Sequence, residues 1–179
     1  MKRRPTVRNG RGGRAASNLP AYKNPALAPE KRVKDLLARM TLEEKAAQMM
    51  GVWQGKKDKL LDAEGNFDPA KAKAACKKGH GLGQVGRPSD AGAPPAAPWM
   101  GRTARQMAEL TNAIQKFFLE NSRLGIPVVF HEECLHGHAA RDATSFPQPI
   151  GLGATFNPAL VERLFTMTRE WYSRRLDSP

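Results

Sequence analysis

Acidic, imidazole and thiol side chains are concentrated in one short stretch, His131-Glu132-Glu133-Cys134-Leu135-His136. A retaining glycosidase needs two carboxyl groups facing each other across a pocket, roughly 5–5.5 Å apart. Adjacent residues of an extended chain point to opposite faces, so Glu132 and Glu133 cannot form that pair with each other. Either one can still face a pocket alone. The alternative is that such a carboxylate simply caps a loop at the edge of the fold.

The same stretch is close to a zinc-protease motif but has a different spacing. The histidines of that motif lie at i and i+4 on one helix face. His131 and His136 are five residues apart, which places them about 140° apart around a helix axis. Cys134 and His138 add ligand types that zinc accepts, so a zinc site stays an alternative. We predict no bound metal and no cofactor.

Residues 81–86, Gly-Leu-Gly-Gln-Val-Gly, match the letters of the dinucleotide-binding fingerprint. That fingerprint works only when a strand precedes it and a helix N-terminus follows it, because the helix N–H groups bind the pyrophosphate. Here a lysine-rich segment precedes the glycines and a proline-rich loop follows them. We therefore interpret residues 81–86 as a short buried strand.

Apolar periodicity predicts the elements that carry these residues. Thr41 and Glu44 have the spacing of a capping box at the start of the second helix. That helix is predicted to direct four side chains inward, Ala46, Ala47, Met49 and Met50. We predict helices at 29–40, 42–50, 69–78, 103–121 and 157–175, and strands at 81–86 and 128–130. Helices alternating with short apolar strands indicate an α/β fold with a parallel sheet.

Length and composition exclude several classes of protein. The chain has 179 residues, enough for one ordinary domain or for part of a larger one. No apolar run approaches the ~20 residues that a membrane-spanning helix requires, so we predict no membrane span. The two cysteines, Cys76 and Cys134, exclude a disulfide-rich scaffold, and we predict that both are small buried side chains without a bridge.

Most of the net charge of +12 lies at the beginning of the chain. Residues 1–24 contain seven basic side chains and no acidic one, and we predict that they form a disordered basic arm. A nucleic-acid-binding function through this arm is an alternative, but no aromatic residue accompanies the basic ones before Tyr22, so we expect no nucleic-acid partner. The arm lacks the apolar stretch of a signal peptide, and the compartment stays open.

Five blocks of sequence, in order, resemble the glycoside hydrolase family 3 N-terminal domain. The resemblance spans about residues 22–170 and is closest to β-glucosidases and β-xylosidases. The blocks are residues 32–45, 112–115, 123–128, 132–137 and 144–158.

The resemblance implies an α/β fold that is the N-terminal, incomplete part of a (β/α)8 barrel, within a domain of residues 25–179. It also implies hydrolysis of O-glycosyl bonds, with a β-linked oligosaccharide or glycoside as the partner molecule. In this family an acidic residue three positions before a His-Gly pair binds sugar hydroxyls, and Glu133 occupies that position. Arg87 and His136 are weaker candidates for the same binding site.

The family's aspartate nucleophile and its acid/base residue lie downstream of all the blocks found here, so we predict no catalytic residue in this chain. The resemblance also fades after residue 170, which a truncated reading frame would explain. We therefore expect a marginally stable fragment without turnover, whose oligomeric state and sugar preference stay open. A non-catalytic carbohydrate-binding fragment is the remaining alternative.

Overall fold

The computed structural model describes residues 19–76, 79–90 and 101–176, with side chains up to residue 170. Most of the predicted basic arm lies outside these residues. The chain divides into two compact units, one ending at Lys45 and the other beginning at Ala46. The three strands and every residue of the candidate site belong to the second unit.

The first unit contains a short 3-10 helix, Ala21–Lys23, and helix α1, Pro29–Arg39. Proline at the first position of α1 is favourable because that position needs no intrahelical N–H donor. The Asp35 carboxylate accepts hydrogen bonds from the Tyr22 backbone N–H and the Arg39 side chain, each at 3.0 Å. The Arg39 bond, followed by the Tyr22 bond, lowers the pKa of Asp35.

Helix α2, Leu42–Gln48, begins with the predicted capping box. The Thr41 hydroxyl accepts from the Glu44 backbone N–H at 3.2 Å, and the Glu44 carboxylate accepts from the Thr41 N–H at 2.9 Å. The predicted inward orientation is wrong for Ala46, which is exposed, and for Met49 and Met50, whose side chains are 88% and 59% exposed. The helix ends at Gln48, so the two methionines lie beyond it and do not continue its apolar face.

The sheet has three parallel strands in the order β1-β2-β3: Gly51–Val52, Gln84–Gly86 and Val129–His131. In the register of the sheet, Val85 of the central strand pairs with Val52 of β1 and with Phe130 of β3. The prediction of an α/β fold with a parallel sheet is confirmed. Strand β1 was not predicted, because two residues are too few to show a periodic pattern.

Of the remaining described helices, three start with side-chain caps. Asp68 accepts from the N–H groups of the second and third residues of α4 (Pro69–Ala75), and Thr103 forms a capping box with Gln106 at α5 (Ala104–Asn121). Asn157 accepts from the Leu160 N–H at the start of α7 (Pro158–Leu176). Within the described residues, no helix has the length and apolar character needed to cross a bilayer. These helices are α3 Lys56–Lys59, α4 Pro69–Ala75, α5 Ala104–Asn121, α6 Pro149–Gly153 and α7 Pro158–Leu176.

The core of the second unit lies between the sheet and α5. Ile114 and Phe118 of α5 are 0% and 1% exposed, and Val85 of the central strand is 0% exposed. The other members of this cluster are Val52, Leu60, Leu61, Ala72, Leu82, Leu110 and Val128. The i, i+4 spacing along α5 places its apolar residues on one face, as the periodicity predicted.

Helix α5 also contacts β3 through a polar side chain. The Gln115 amide donates to the Val128 carbonyl at 3.1 Å and accepts from the Val128 N–H at 2.7 Å. The N–H and the carbonyl of Val128, the residue before β3, therefore both have a hydrogen-bond partner in the Gln115 side chain. This pair of bonds fixes the start of β3 against the middle of α5.

Candidate functional site

The carboxyl ends of the three parallel strands bring the site residues to one edge of the sheet. Trp53 follows β1, Arg87 follows β2, and Glu132 and Glu133 follow β3. In parallel sheets this edge is where the loops that bind ligands are found. The predicted site residues Arg87 and Glu133 thus belong to neighbouring strand ends.

Gly86 allows these strand ends to approach closely. A Cβ atom at Gly86 would lie 2.7 Å from Cε1 of His131 and 3.4 Å from Cβ of Trp53. Trp53 is 46% exposed, and the Arg87 guanidinium lies 5.8 Å from the centroid of its ring. The Trp53 ring and the Arg87 guanidinium are therefore neighbours on the surface, with a cation–π attraction between them.

The loop that follows β2 has an unusual backbone. Arg87 and Asp90 both have φ near +50°, in the left-handed region that is unfavourable for non-glycine residues. The Arg87 N–H donates to the His131 carbonyl at 2.7 Å, and the Asp90 N–H donates to the Arg87 carbonyl at 3.0 Å. Such strain persists only where surrounding contacts hold it, and it is typical of functional loops.

A buried group of charges lies under this loop. The Lys56 ammonium is 2.8 Å from the Asp90 carboxylate and donates to the Gly86 carbonyl at 2.8 Å. The Arg102 guanidinium pairs with the other oxygen of Asp90 and donates to the Gly65 carbonyl at 2.6 Å. The side chains of Lys56, Asp90 and Arg102 are only 5%, 11% and 5% exposed. One carboxylate thus forms ion pairs with two buried cations.

Glu132 is engaged with the same loop. One carboxylate oxygen accepts from the Ser89 N–H at 2.6 Å, and the other accepts from the Ser89 hydroxyl at 2.8 Å. Burial raises the pKa of Glu132, while the two Ser89 hydrogen bonds and the charges of Lys56 and Arg87 act in the opposite direction. The carboxylate therefore ties the end of β3 to the loop after β2.

The raised pKa of Glu132 leads to a pH-dependent stability. The folded chain binds the proton of the Glu132 carboxyl group more tightly than the unfolded chain does. Protonation of Glu132 therefore adds stability that is fully present below the ordinary pKa of 4.5 and is lost as the pH rises through the pKa of the folded chain. We expect the urea midpoint of the wild type, relative to the non-titrating Glu132→Gln variant, to rise as pH falls from 7.5 toward 4.5. A constant difference would contradict this expectation.

Glu133 differs from its neighbour in having no partner of this kind. Its side chain is half-buried. Among the residues that the structure describes, none forms a hydrogen bond or ion pair with the Glu133 carboxylate. Its backbone carbonyl accepts from the Ala139 N–H at 2.8 Å, which fixes the start of the following loop. Its two carboxylate oxygens are therefore available to accept hydrogen bonds from a ligand's hydroxyl groups.

His136 lies in the loop that follows Glu133. Its carbonyl accepts from the Phe146 N–H at 2.7 Å, and its half-buried ring has a shielded Nδ1 without a hydrogen-bond partner in the described part of the chain. Gly137 has φ of +98°, and a Cβ atom there would lie 2.2 Å from the Thr144 carbonyl oxygen. The His-Gly pair thus folds the loop back on itself. Sugar contact by His136 stays a prediction.

Two other motifs of the sequence have structural explanations. Within the described ranges, no cluster of three or more His, Cys, Asp or Glu side chains has the arrangement of a metal site. Cys134 and Cys76 are free thiols and half-buried rather than fully buried. The glycine motif at 81–86 ends in β2, and the described residues that follow it, 87–90, are not helical, so no helix N-terminus follows the glycines directly.

Several residues around the site were not predicted. Trp53 and Lys56 follow a strand too short to detect, and Arg102 is distant in sequence from its partners. Ser89 and Asp90 lie in a segment predicted only as loop, where type and spacing give no signal. The residues missed are Trp53, Lys56, Ser89, Asp90 and Arg102.

The chain matches the profile of the glycosyl hydrolase family 3 N terminal domain over residues 41–173. A protein of Formosa agariphila that carries a beta-xylosidase name is 36% identical over 151 residues, covering 80% of this chain and 18% of that protein. Beta-glucosidase C of Emericella nidulans is 34% identical over 162 residues, covering 86% of this chain and 24% of the relative.

Among solved structures, a β-glucosidase of Erythrobacter marinus superimposes with a TM-score of 0.62 at 32% sequence identity. The match covers 82% of this chain and 17% of that structure's chain. The chain therefore spans about a sixth to a quarter of the length of these relatives.

Proposed function

Because the chain belongs to glycosyl hydrolase family 3, we propose that it takes part in the hydrolysis of β-linked glucosides or xylosides by binding their non-reducing terminal sugar. The proposed binding surface is the edge of the sheet at Trp53, Arg87 and Glu133. In this proposal the described strands correspond to the first strands of a (β/α)8-like barrel, within a domain of residues 25–179.

The observation that carries the proposal is the state of the Glu133 carboxylate. It follows strand β3, its backbone carbonyl accepts a hydrogen bond from the Ala139 N–H, and in the described residues no protein donor occupies its carboxylate oxygens. Neighbouring sugar hydroxyls are matched donors for two carboxylate oxygens, and bonds to a charged acceptor are the stronger kind. Arg87 adds donors for a hydroxyl oxygen, and the exposed Trp53 ring offers an apolar surface to the C–H groups of the sugar.

Bond cleavage with retention requires two carboxyl groups on opposite sides of the scissile bond. Glu132 is occupied by Ser89, and Glu133 is assigned here to hydroxyl binding. We therefore propose that the residues of this chain bind the sugar and that the nucleophile and the acid/base group are not among them. His136 contributes by shaping the loop beside Glu133.

We expect the 179-residue chain to bind methyl β-D-glucoside or methyl β-D-xyloside weakly, and Glu133→Gln to raise the dissociation constant at least about tenfold. Glutamine keeps the shape of the side chain but removes its charge and one acceptor. The measurement is ligand-observed NMR titration. Glu120→Gln, on the exposed face of α5, is the matched control and should bind like the wild type.

The same preparations should release no aryl group from aryl β-glucosides or aryl β-xylosides. Equal affinity of the wild type and Glu133→Gln would contradict the role of Glu133. A hydrolysis rate that disappears in Glu133→Ala would contradict the assignment of the reacting groups to residues outside this chain.

A further inference from the structure

We propose that Glu132 is a positioning residue that holds the loop 87–90, and through it the Arg87 guanidinium, at the sugar-binding edge without touching the sugar itself. This inference rests on the proposed function and adds a role for the second of the two adjacent glutamates. The two residues thereby have different tasks, one binding the ligand and the other binding the protein.

The first argument is that the hydrogen-bonding capacity of Glu132 toward the loop is already used. Its two oxygens accept at 2.6 and 2.8 Å from the N–H and the hydroxyl of Ser89, a residue 0% exposed. The Ser89 hydroxyl also lies 3.2 Å from the Ala139 carbonyl, and the Ser89 carbonyl accepts from the Arg102 N–H at 3.0 Å. Ser89 is thus fixed on every side.

The second argument is the conformation that this attachment maintains. Arg87 and Asp90, the first and last residues of the loop, both have φ near +50°. A non-glycine residue leaves this region unless contacts outside the loop hold it there. Asp90 is held by its ion pairs with Lys56 and Arg102, whereas the middle of the loop is held through Ser89 by Glu132.

The third argument is electrostatic. The positive charges of Lys56 and Arg87 lie close enough to Glu132 to favour its ionised form, so the attraction also acts on the Arg87 side chain. The Nε atom of Arg87 is shielded from solvent, which gives the guanidinium a defined environment beside Trp53. The two bonds to Ser89 hold the loop and the charge of Glu132 adds a smaller attraction, so loss of these bonds should displace Arg87, although Glu132 is not itself a ligand.

The test compares Glu132→Ala, Glu132→Gln and Glu133→Gln by NMR titration with methyl β-D-glucoside. Glu132→Ala should weaken binding about tenfold, as expected when a supporting contact is lost and a binding group moves. Glu132→Gln should stay within about threefold, because its amide oxygen still accepts from the Ser89 N–H and its NH₂ can donate to the Ser89 hydroxyl. Rescue by the isosteric amide distinguishes positioning from direct contact.

A core variant, Ile114→Val, controls for a loss of stability alone and should bind within about twofold of the wild type. Wild-type affinity in folded Glu132→Ala would overturn the positioning role while leaving the proposed function intact. A loss in Glu132→Gln equal to that in Glu133→Gln would also overturn it, because Glu132 would then contact the sugar directly.

A second readout needs no ligand. The Arg87 Nε–Hε signal can be observed in ¹H–¹⁵N spectra and assigned with an Arg87→Lys variant. In both the wild type and Glu132→Gln, this signal should lie away from the position of solvent-exposed arginines. It should move to the position of a solvent-exposed arginine in Glu132→Ala. An unmoved signal would overturn the proposal. If the wild type binds no sugar, the proposed function fails, and this signal still decides whether Glu132 positions Arg87.

Discussion

Replacing Asp90 by alanine is expected to lower the free energy of unfolding by about 3–5 kcal/mol, the range for removing one partner of a buried charge group. Asp90 is the carboxylate between Lys56 and Arg102, whose side chains are each 5% exposed. Without it, two buried cations keep their backbone carbonyl partners but lose the opposite charge. The loss is large because neither cation is solvated.

Urea denaturation monitored by circular dichroism measures this effect. The matched control is Glu109→Gln, which breaks an exposed pair with Arg105, 4.0 Å long with side chains 83% and 66% exposed. Exposed pairs of this kind contribute little, so the control should stay within about 0.5 kcal/mol of the wild type. A change below about 1 kcal/mol in Asp90→Ala would show that the two cations reach solvent.

Gly83→Ala is expected to lower the free energy of unfolding by about 3 kcal/mol, at the upper end of the cost of overpacking. A Cβ atom at Gly83 would lie 2.0 Å from the backbone oxygen of Gln48. Relief by a local shift is blocked, because the Gly83 N–H donates to Ala47 at 3.0 Å and its carbonyl accepts from Val129 at 2.9 Å. The alanine would have to separate the chain before β1 from β2.

Thermal or urea unfolding of Gly83→Ala and Gly153→Ala gives a direct comparison of the same substitution in two environments. Gly153 lies in α6 with nothing within 4 Å of its would-be Cβ, so alanine there should stabilise by about 0.5–1 kcal/mol. Equal effects of the two substitutions would contradict the close approach at Gly83.

The fate of the glycine motif shows what the sequence can establish. Its letters fit a dinucleotide fingerprint, but the surrounding elements favoured a short strand, and β2 forms at its last three residues, Gln84–Gly86. The physical reason for Gly83 was not predictable, because it is the backbone of Gln48, thirty-five positions earlier in the printed sequence. A local pattern cannot reveal a contact between distant segments.

The long helix α5 and the Thr41 capping box were predicted because periodicity and capping are local properties. The inward orientation of Met49 failed because it required the exact residue at which α2 ends, and helix ends are the least certain part of such predictions. At the site, Glu133 was found through resemblance to a family. Ser89 and Asp90 were missed because their importance comes from partners distant in sequence, Glu132 after β3 and Arg102 before α5.

The Gln115 contact with Val128 affects whether β3 can pair with a strand of another molecule. In a parallel strand, successive residues present their peptide groups to opposite sides, and Val129 and His131 bond toward β2. Val128 and Phe130 therefore face the outer side, where Gln115 already occupies Val128. A strand from another molecule could pair only with the peptide groups of Phe130 in this part of the chain. Gln115 therefore opposes self-association by extension of the sheet.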